Sequence, residues 1–338
     1  MSQNAHLIKH LVISGGGVRG YATLGALDYL HRNNIINIPA IRTFAGSSIG
    51  AIISLLLVCK YTPKQIYDIS SDLDLKQMFD PDIQNLLVHY GFDTGAKFVA
   101  ILKQLMEQSG IEPDITFLRL YNITKQKLIV TATSLNKRSV KYFDYLQTPN
   151  YKVIDVVRAS MGIPILFTTV KDTNNALGEQ EHFVDGGMLD NFPLHLFSGS
   201  CNPNEILAIK FKKTKDRDHS DQFTHINSLE DVIVANISCL LEEIEHLRSL
   251  LSKDLYYKST IMIDTHEFHM LALAISRKDK KRLFKMGKAA VKQYVATNTF
   301  LLLRLSQSPE IVQQLVWKYV HSARLGYVHA ELCDTLLE

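Results

Sequence analysis

The sequence has few cysteines, and it contains no long apolar run. Its four cysteines are far apart and form no CxxC pair, so no disulfide framework is indicated. This usage is consistent with a reducing compartment. The longest apolar stretch, residues 51–59, is interrupted by Ser54 and is much shorter than the roughly 18 residues of a candidate membrane span.

The N-terminus also lacks a recognisable targeting segment. Residues 1–10 contain no apolar core of the kind found in secretory signal peptides. We therefore expect a cytoplasmic protein that meets membranes only at their surface. Secretion by a route that needs no signal peptide stays open.

The sequence also has no large excess of positive or negative charge. The formal net charge of the 338 residues is +3, which is too small to indicate nucleic acid as the main partner. Apolar residues make up 46% and charged residues 21%, as in ordinary globular proteins. A chain of this size can bury a large core without disulfides or metals. Nothing in the sequence indicates an oligomeric state.

Short apolar runs alternate with helical patterns over the first two thirds of the chain. This alternation predicts a mostly parallel sheet with helices on both faces, and the nearly unbroken apolar runs suit strands buried on both sides. The predicted strands are 10–14, 41–45, 127–133, 181–184 and 205–211. The predicted helices are 19–33, 49–60, 63–73, 95–109 and 153–160.

The pattern changes after about residue 213. A charged loop over 212–219 precedes residues 226–251, whose apolar positions form one stripe of a long amphipathic helix. Residues 257–264 are a further candidate strand, and the pattern is helical from Arg277 to the end, with a break at Pro309. We therefore expect a catalytic α/β domain over 8–213 and a mainly helical extension over 214–338.

A serine stands at the centre of the glycine-bracketed turn Gly46-Ser47-Ser48-Ile49-Gly50. The turn joins an apolar strand to an apolar helix, a position that forces the Ser48 hydroxyl outward at the edge of the sheet. The helix N-terminus beside it favours developing negative charge. Ser48 is therefore a candidate nucleophile, with Gly46 and Gly50 supporting the strained turn. The alternative is an ordinary N-cap serine.

A second glycine turn, Gly15-Gly16-Gly17-Val18-Arg19-Gly20, follows the predicted strand 10–14. It satisfies the G-x-G-x-x-G pattern of dinucleotide-binding folds, but those require an acidic residue about 20 positions later, and residues 35–46 contain no Asp or Glu. We interpret the turn as an oxyanion hole, because glycines let successive amides turn toward one point. The expected donors are the amides of Gly16, Gly17 and Val18.

Two roles are open for Arg19 on the sequence alone. It either holds the loop and attracts an anionic head group, or it is a charged residue of the first helical turn that packs against the fold.

A carboxylate that could serve as the base follows the predicted strand 181–184. In Asp185-Gly186-Gly187 the two glycines leave the aspartate room to lean into a site. Asp190 is a nearby competitor. A Ser-His-Asp triad is the other route, since 13 histidines are present, but none of them lies in a comparable glycine turn.

Taken together, these motifs are similar to those of the patatin-like phospholipase family. The match rests on Gly15–Gly20, on Gly46–Gly50 and on Asp185-Gly186-Gly187, and it is supported by residues 159–164 and 191–193. It covers roughly residues 8–213. The resemblance implies a three-layer α/β/α fold with a mostly parallel sheet, here with a helical C-terminal extension. It also implies a lipid acyl hydrolase that uses a Ser-Asp dyad.

Carried onto this sequence, the resemblance makes Ser48 the nucleophile and Asp185 the general base. The oxyanion loop is then Gly15, Gly16, Gly17, Val18, Arg19 and Gly20, with Gly46, Gly50, Gly186 and Gly187 as supporting positions. The expected reaction is hydrolysis of a fatty-acyl ester, of phospholipase A or lysophospholipase type, through an acyl-serine. Burial would raise the pKa of Asp185 above its usual value of about 3.9 and make it an effective base.

No cofactor or metal is expected. The paired acids near residues 72–74 and 80–82 lack the glycine and the distal glutamate of a calcium loop. The alternative function is a catalytically idle relative that binds or signals through its C-terminal helices.

A lipid substrate requires access to a membrane surface, and two segments could provide it. One is the apolar segment Met78–Phe98, a candidate lid or else a packed surface helix and loop. The other is a basic cluster, which could meet anionic lipid or could simply be a solvated helix face. This basic cluster consists of Arg277, Lys278, Lys280, Lys281, Arg282, Lys285 and Lys288.

Overall fold

The computed structural model describes residues 8–172, 180–212, 226–227, 229–251, 259–265, 267–272 and 274–297. Residues Leu7–Val291 form one compact unit, and Met1–His6 with Lys292–Glu338 form a second. Most of the predicted loop at 212–219, the start of the predicted strand at 257–264 and the helical pattern beyond residue 297 lie outside the described residues. The boundary proposed at residue 213 stays a prediction.

An eight-stranded, mostly parallel sheet forms the centre of the larger unit, and it confirms the expected fold class. The parallel strands are β1 (His10–Ile13), β2 (Thr43–Gly46), β4 (Lys127–Ser134), β9 (Ile206–Phe211) and β10 (Thr260–Ile263). The antiparallel strands are β5 (Ser139–Phe143), β7 (Val170–Asp172) and β8 (Glu181–Asp185). The strand order is β10-β9-β1-β2-β4-β8-β7, with β5 paired to β4.

Helices cover the sheet, as the alternating pattern predicted. Those of the first two thirds are α1 (Gly20–Arg32), α2 (Ile49–Val58), α3 (Pro63–Asp72), α4 (Leu75–Met78), α5 (Ile83–His89), α6 (Ala96–Gln108), α7 (Phe117–Thr124), α8 (Val153–Ser160) and α9 (Gly187–Asp190). Later in the chain lie α10 (Leu229–Leu251) and α11 (Arg277–Thr297). A second, two-stranded parallel sheet joins β3 (Gly91–Asp93) to β6 (Ile165–Phe167).

The first half of α11 packs tightly against α1 through two glycines. A Cβ on Gly287 would lie 1.8 Å from the Ala22 carbonyl oxygen, and a Cβ on Gly25 would lie 1.9 Å from the Phe284 carbonyl oxygen. Larger side chains would hold the two backbones apart. Helix α11 is therefore an integral layer of the compact unit over its first residues.

This packing changes the interpretation of the basic cluster. Lys280, expected as part of a charged surface, is 2% exposed, and its ammonium donates to the carbonyl oxygens of Ser71 and Leu73 at the end of α3. The cluster members Arg277, Arg282 and Lys288 pair with Asp72, Glu267 and Asp28. The expectation of a fully solvated basic face is therefore wrong for Lys280. Among the described residues, no helix has both the length and the apolar content needed to cross a bilayer.

Candidate active site

Strand register brings the predicted nucleophile and base to the same edge of the sheet. Ser48 follows β2, in which Gly46 pairs with Val130 of β4. Two residues further along β4, Ala132 pairs with Asp185 at the end of the antiparallel strand β8. The Asp185 carboxylate therefore lies at the same edge of the sheet as Ser48. It reaches this edge although β8 runs antiparallel to β4.

Ser48 occupies a strained turn between β2 and α2. Its φ of 54° and ψ of −126° are unusual for a residue with a side chain, and such conformations cost on the order of 1–3 kcal/mol. The Ser160 hydroxyl oxygen holds the turn by accepting the Ser48 N–H at 2.9 Å. The flanking glycines are required sterically, since a Cβ on Gly46 would lie 2.4 Å from the carbonyl carbon of Gly50.

Asp185 is a buried carboxylate that lines the same space as Ser48. Burial raises its pKa to about 7, while the neighbouring Ser48 hydroxyl and the Gly187 N–H act in the opposite direction. The Gly187 contact is 2.7 Å. Gly186 must be glycine, because a Cβ there would meet Thr131 Oγ1 at 2.2 Å. Asp185 is thus oriented toward Ser48 and has a proton affinity suited to work near neutral pH.

Most backbone N–H groups of the glycine loop are already hydrogen-bonded. Gly15 donates to the Asn191 carbonyl at 3.1 Å, and Val18 donates to the Met270 carbonyl at 3.0 Å. Arg19 donates back to Gly16, and the Gly20 N–H points to Gly17 and Val18. Of the six residues in this loop, Gly16 and Gly17 are the two whose N–H groups donate to no described residue. The Val18 N–H, expected among the oxyanion donors, is therefore occupied by the Met270 carbonyl in this structure, and the role of the loop as an oxyanion hole stays a prediction.

Ser48 opens into two connected spaces, of which the larger is apolar. It encloses about 1250 Å³ including its open mouth, comparable to or larger than typical small-molecule sites of about 300–1,000 Å³. It runs along α2 from Ser48 toward Leu56, between α1, α3 and α6. Its lining includes Ile52, Leu56, Tyr61, Ile66, Phe98, Leu102, Leu105 and Met161.

The smaller space is lined by several charged side chains and also contains Asp185. Arg19 and Lys212 line it together with Glu242 and Glu245 of α10. The Arg19 guanidinium lies 4.8 Å above the Phe211 ring, and burial lowers its pKa while the two glutamates raise it. Neither Arg19 nor Lys212 forms an ion pair with a residue that the structure describes.

The residues of the competing triad lie elsewhere. Asp190 is fully buried and accepts a hydrogen bond from the Tyr142 hydroxyl at 2.7 Å, with His195 and Arg248 close by. No histidine of the described residues lines the space that contains Ser48 and Asp185. A histidine base is therefore not favoured by the geometry.

Several residues of the site were not singled out from the sequence. Asn191, Ser160 and Met270 contact the catalytic turns, and Glu245 approaches from α10. Asn191 and Ser160 lie in stretches that resemble the family, which was the available signal. Met270 and Glu245 reach the site only through long-range packing, so no local pattern indicates them.

Comparisons with known proteins identify the family and the fold. The sequence model of the family described as "Patatin-like phospholipase" matches residues 11–198. The chain is 32% identical over 235 residues to the "Probable lipid hydrolase 463L" of Invertebrate iridescent virus 6, covering 68% of this chain and 73% of that protein. It is 26% identical over 294 residues to the "Uncharacterized protein R571" of Acanthamoeba polyphaga mimivirus, covering 85% and 94%.

A solved structure shows the same fold. VipD from Legionella pneumophila superimposes with a TM-score of 0.53 at 18% sequence identity, covering 86% of this chain and 67% of that chain.

Proposed function

The chain belongs to the patatin-like phospholipase family, and from this premise we propose that it hydrolyses fatty-acyl esters of phospholipids through a Ser48–Asp185 dyad. The activity would be of phospholipase A or lysophospholipase type. One observation carries the proposal: a serine held on a strained turn and a buried carboxylate with a raised pKa line the same space beside the glycine loop.

In this mechanism, Asp185 takes the Ser48 proton as the hydroxyl oxygen attacks the ester carbonyl. The tetrahedral oxyanion is stabilised by the N–H groups of Gly16 and Gly17. The proton on Asp185 then passes to the leaving alcohol as the ester bond breaks, and an acyl-serine remains. Water attacks the acyl-serine with Asp185 again as base, which releases the fatty acid and restores Ser48.

The apolar cavity supports a long acyl chain as the bound part of the substrate. It is continuous with Ser48 and Gly17, where the ester carbonyl would lie. Each methylene removed from water contributes about 0.8 kcal/mol. An acyl chain placed along α2 would therefore gain affinity with length until the cavity is filled.

The charged side chains of the smaller space support a phosphate-bearing head group over a neutral glyceride. Arg19 and Lys212 line this space together with Ser48. Arg19 interacts electrostatically with Glu242 and Glu245, whereas Lys212 forms no ion pair with a residue that the structure describes. Charge-assisted hydrogen bonds to phosphate are stronger than neutral ones. A phosphate next to the scissile ester would find those donors in place.

Access to a membrane would come mainly from an exposed apolar surface at α5 and its C-cap, and only secondarily from the basic cluster. Ile83, Leu87, Val88 and Tyr90 are each more than half exposed, and all four lie in the segment Met78–Phe98. Met78 and Phe98 in turn line the acyl cavity. We propose peripheral contact through this segment, with Lys278, Lys281 and Lys285 as the remaining candidates for electrostatic attraction to anionic lipid.

Hydrolysis of a phospholipid and of a chromogenic short-chain ester by Ser48→Ala tests the proposal. Ser47→Ala is the matched control, because Ser47 is adjacent, fully buried and absent from the lining of both spaces. In a comparable serine hydrolase, loss of the nucleophile lowered kcat on the order of 10⁶-fold. A loss below about tenfold in Ser48→Ala, or equal losses in the two variants, would contradict the proposed function.

A further inference from the structure

Helix α10, which lies beyond the family-matched residues, places a carboxylate next to the glycine loop. Glu245 Oε1 is 2.7 Å from the ammonium of Lys210, a residue only 1% exposed at the end of β9. The other carboxylate oxygen of Glu245, Oε2, accepts a hydrogen bond from Asn191 Nδ2 at 3.4 Å. The buried Lys210 ammonium holds the glutamate in place, so Asn191 faces a carboxylate positioned by the fold.

Asn191 makes two hydrogen bonds to Gly15 in the glycine loop, one through its backbone and one through its side chain. Its backbone carbonyl accepts the Gly15 N–H at 3.1 Å, and its Nδ2 donates to the Gly15 carbonyl oxygen at 3.4 Å. Asn191 Nδ2 lies between two acceptors, the Gly15 carbonyl oxygen and Glu245 Oε2. Because only the nitrogen of the side-chain amide can donate, the orientation that places Nδ2 between these oxygens satisfies all three groups. Glu245 thereby selects the orientation in which Asn191 donates to Gly15.

The geometry of the peptide bond extends this contact to the oxyanion donor. The Gly15 carbonyl and the Gly16 N–H belong to one peptide unit, and in a trans peptide these two groups point in opposite directions. A carbonyl held by Asn191 therefore aims the Gly16 N–H away from Asn191. The next unit is held in the same manner, because the Gly16 carbonyl accepts from the Arg19 N–H at 3.1 Å and so orients the Gly17 N–H.

We infer that Glu245 is a positioning residue for the oxyanion loop, acting through Asn191 on the peptide unit that carries the Gly16 N–H. The inference rests on the proposed function of that loop. Under it, α10 is part of the working site although it contributes no atom to the reaction. A misdirected donor stabilises the transition state less but hardly alters binding of the uncharged ester, so the effect is on kcat.

Two double variants that differ only in the acceptor for Asn191 test this inference. Lys210→Met combined with Glu245→Gln removes both charges and keeps an oxygen that can accept from Asn191. Lys210→Met combined with Glu245→Leu removes both charges and that oxygen as well. We expect kcat of the second to be about tenfold to 100-fold lower than kcat of the first, since small misplacements of catalytic groups reach that size.

A role limited to folding would give a different result. Under our inference KM for a soluble short-chain ester, the thermal midpoint and the acid limb of the pH–rate profile agree between the two double variants. Both variants remove the same two charges, and neither Lys210 nor Glu245 lines the apolar cavity. Equal kcat values would overturn the inference. So would a fall in kcat matched by parallel changes in KM and thermal midpoint.

A third variant keeps the test decisive if the double variants do not fold. Asn191→Asp preserves size but sets a carboxylate against the Gly15 carbonyl and Glu245, and we expect a similar fall in kcat at unchanged KM. Wild-type kcat in Asn191→Asp would overturn the inference. Failure of the proposed function is recognised separately, because hydrolysis would then persist in Ser48→Ala.

Discussion

Gly17 lies so close to Met270 that a Cβ on Gly17 would be 1.9 Å from the Met270 carbonyl oxygen. That same oxygen accepts the Val18 N–H at 3.0 Å. The turn containing Met270 is therefore pressed against the oxyanion loop and also hydrogen-bonded to it. Gly17 has a φ of 53°, a second reason why no other residue fits there.

Gly17→Ala should nearly abolish hydrolysis while leaving the protein folded. The added methyl must displace either the Met270 turn or the Gly17 amide, which is one of the two available oxyanion donors. Loss of one such donor costs about 100- to 1,000-fold in kcat, so a decrease of about that size is expected. The measurement is kcat on a soluble ester together with the thermal midpoint.

Gly110→Ala is the matched control for this substitution. Gly110 also has a positive φ, 80°, but its added Cβ would meet nothing within 4 Å. It therefore isolates the backbone cost, about 1–2 kcal/mol of stability, without a steric clash. If Gly110→Ala lowered kcat as much as Gly17→Ala, the crowding against Met270 would not be the cause.

Hydrolysis should have an acid limb with a midpoint near pH 7. Asp185 must be ionised to accept the Ser48 proton, and burial raises its pKa to about 7. The plot of kcat/KM against pH should therefore fall below neutrality, since it reports the pKa of the free enzyme. A limb near pH 4, the range of an ordinary aspartate, would contradict the assignment of Asp185 as the base.

The same pKa predicts that Asp185→Asn is inactive but more stable than the wild type at pH 8. Between the unfolded pKa of about 4 and the folded pKa of about 7, the native state holds a proton that the unfolded chain has lost. The wild type therefore loses stability as pH rises through this window, by at most about 4 kcal/mol. Asparagine carries no such titration, so the two unfolding free energies should diverge between pH 5 and pH 8 in denaturant titrations.

Lys212→Gln should lower hydrolysis of phospholipids more than hydrolysis of neutral glycerides. A hydrogen bond to a charged group contributes about 1.5–3 kcal/mol when buried, and Lys212 is exposed, so a fall of roughly threefold to tenfold in kcat/KM is expected. The assay compares a phospholipid and a glyceride with the same acyl chains in mixed micelles. Lys171→Gln removes an equal charge at an exposed position of β7, outside the lining of both spaces, and should change neither rate. Equal effects on both substrates would remove Lys212 from the head-group site.

The catalytic motifs were predictable because their chemistry depends on local backbone geometry. A serine between glycines after an apolar strand can hardly avoid the strained turn seen at Ser48. The Val18 contact with Met270 was not predictable, since it joins distant parts of the chain. The prediction of a solvated face was wrong at Lys280 for a related reason. The basic neighbours of Lys280 in the sequence suggest a solvated face, but its ammonium donates to carbonyl oxygens at the end of α3, far away in the sequence.

Shortening the apolar cavity at its far end should shift the preference of the enzyme toward short acyl chains. Leu56 lies about two helical turns along α2 from Ser48, on the order of 10 Å, and it lines the cavity. A larger side chain in Leu56→Trp would displace the distal methylenes, each of which contributes about 0.8 kcal/mol, or roughly fourfold in kcat/KM. Palmitoyl esters should therefore lose several-fold more than butyryl esters. Leu118→Trp, at an exposed position on α7, should leave the ratio unchanged. If Leu56→Trp lowered both rates equally, the acyl chain would not lie along α2.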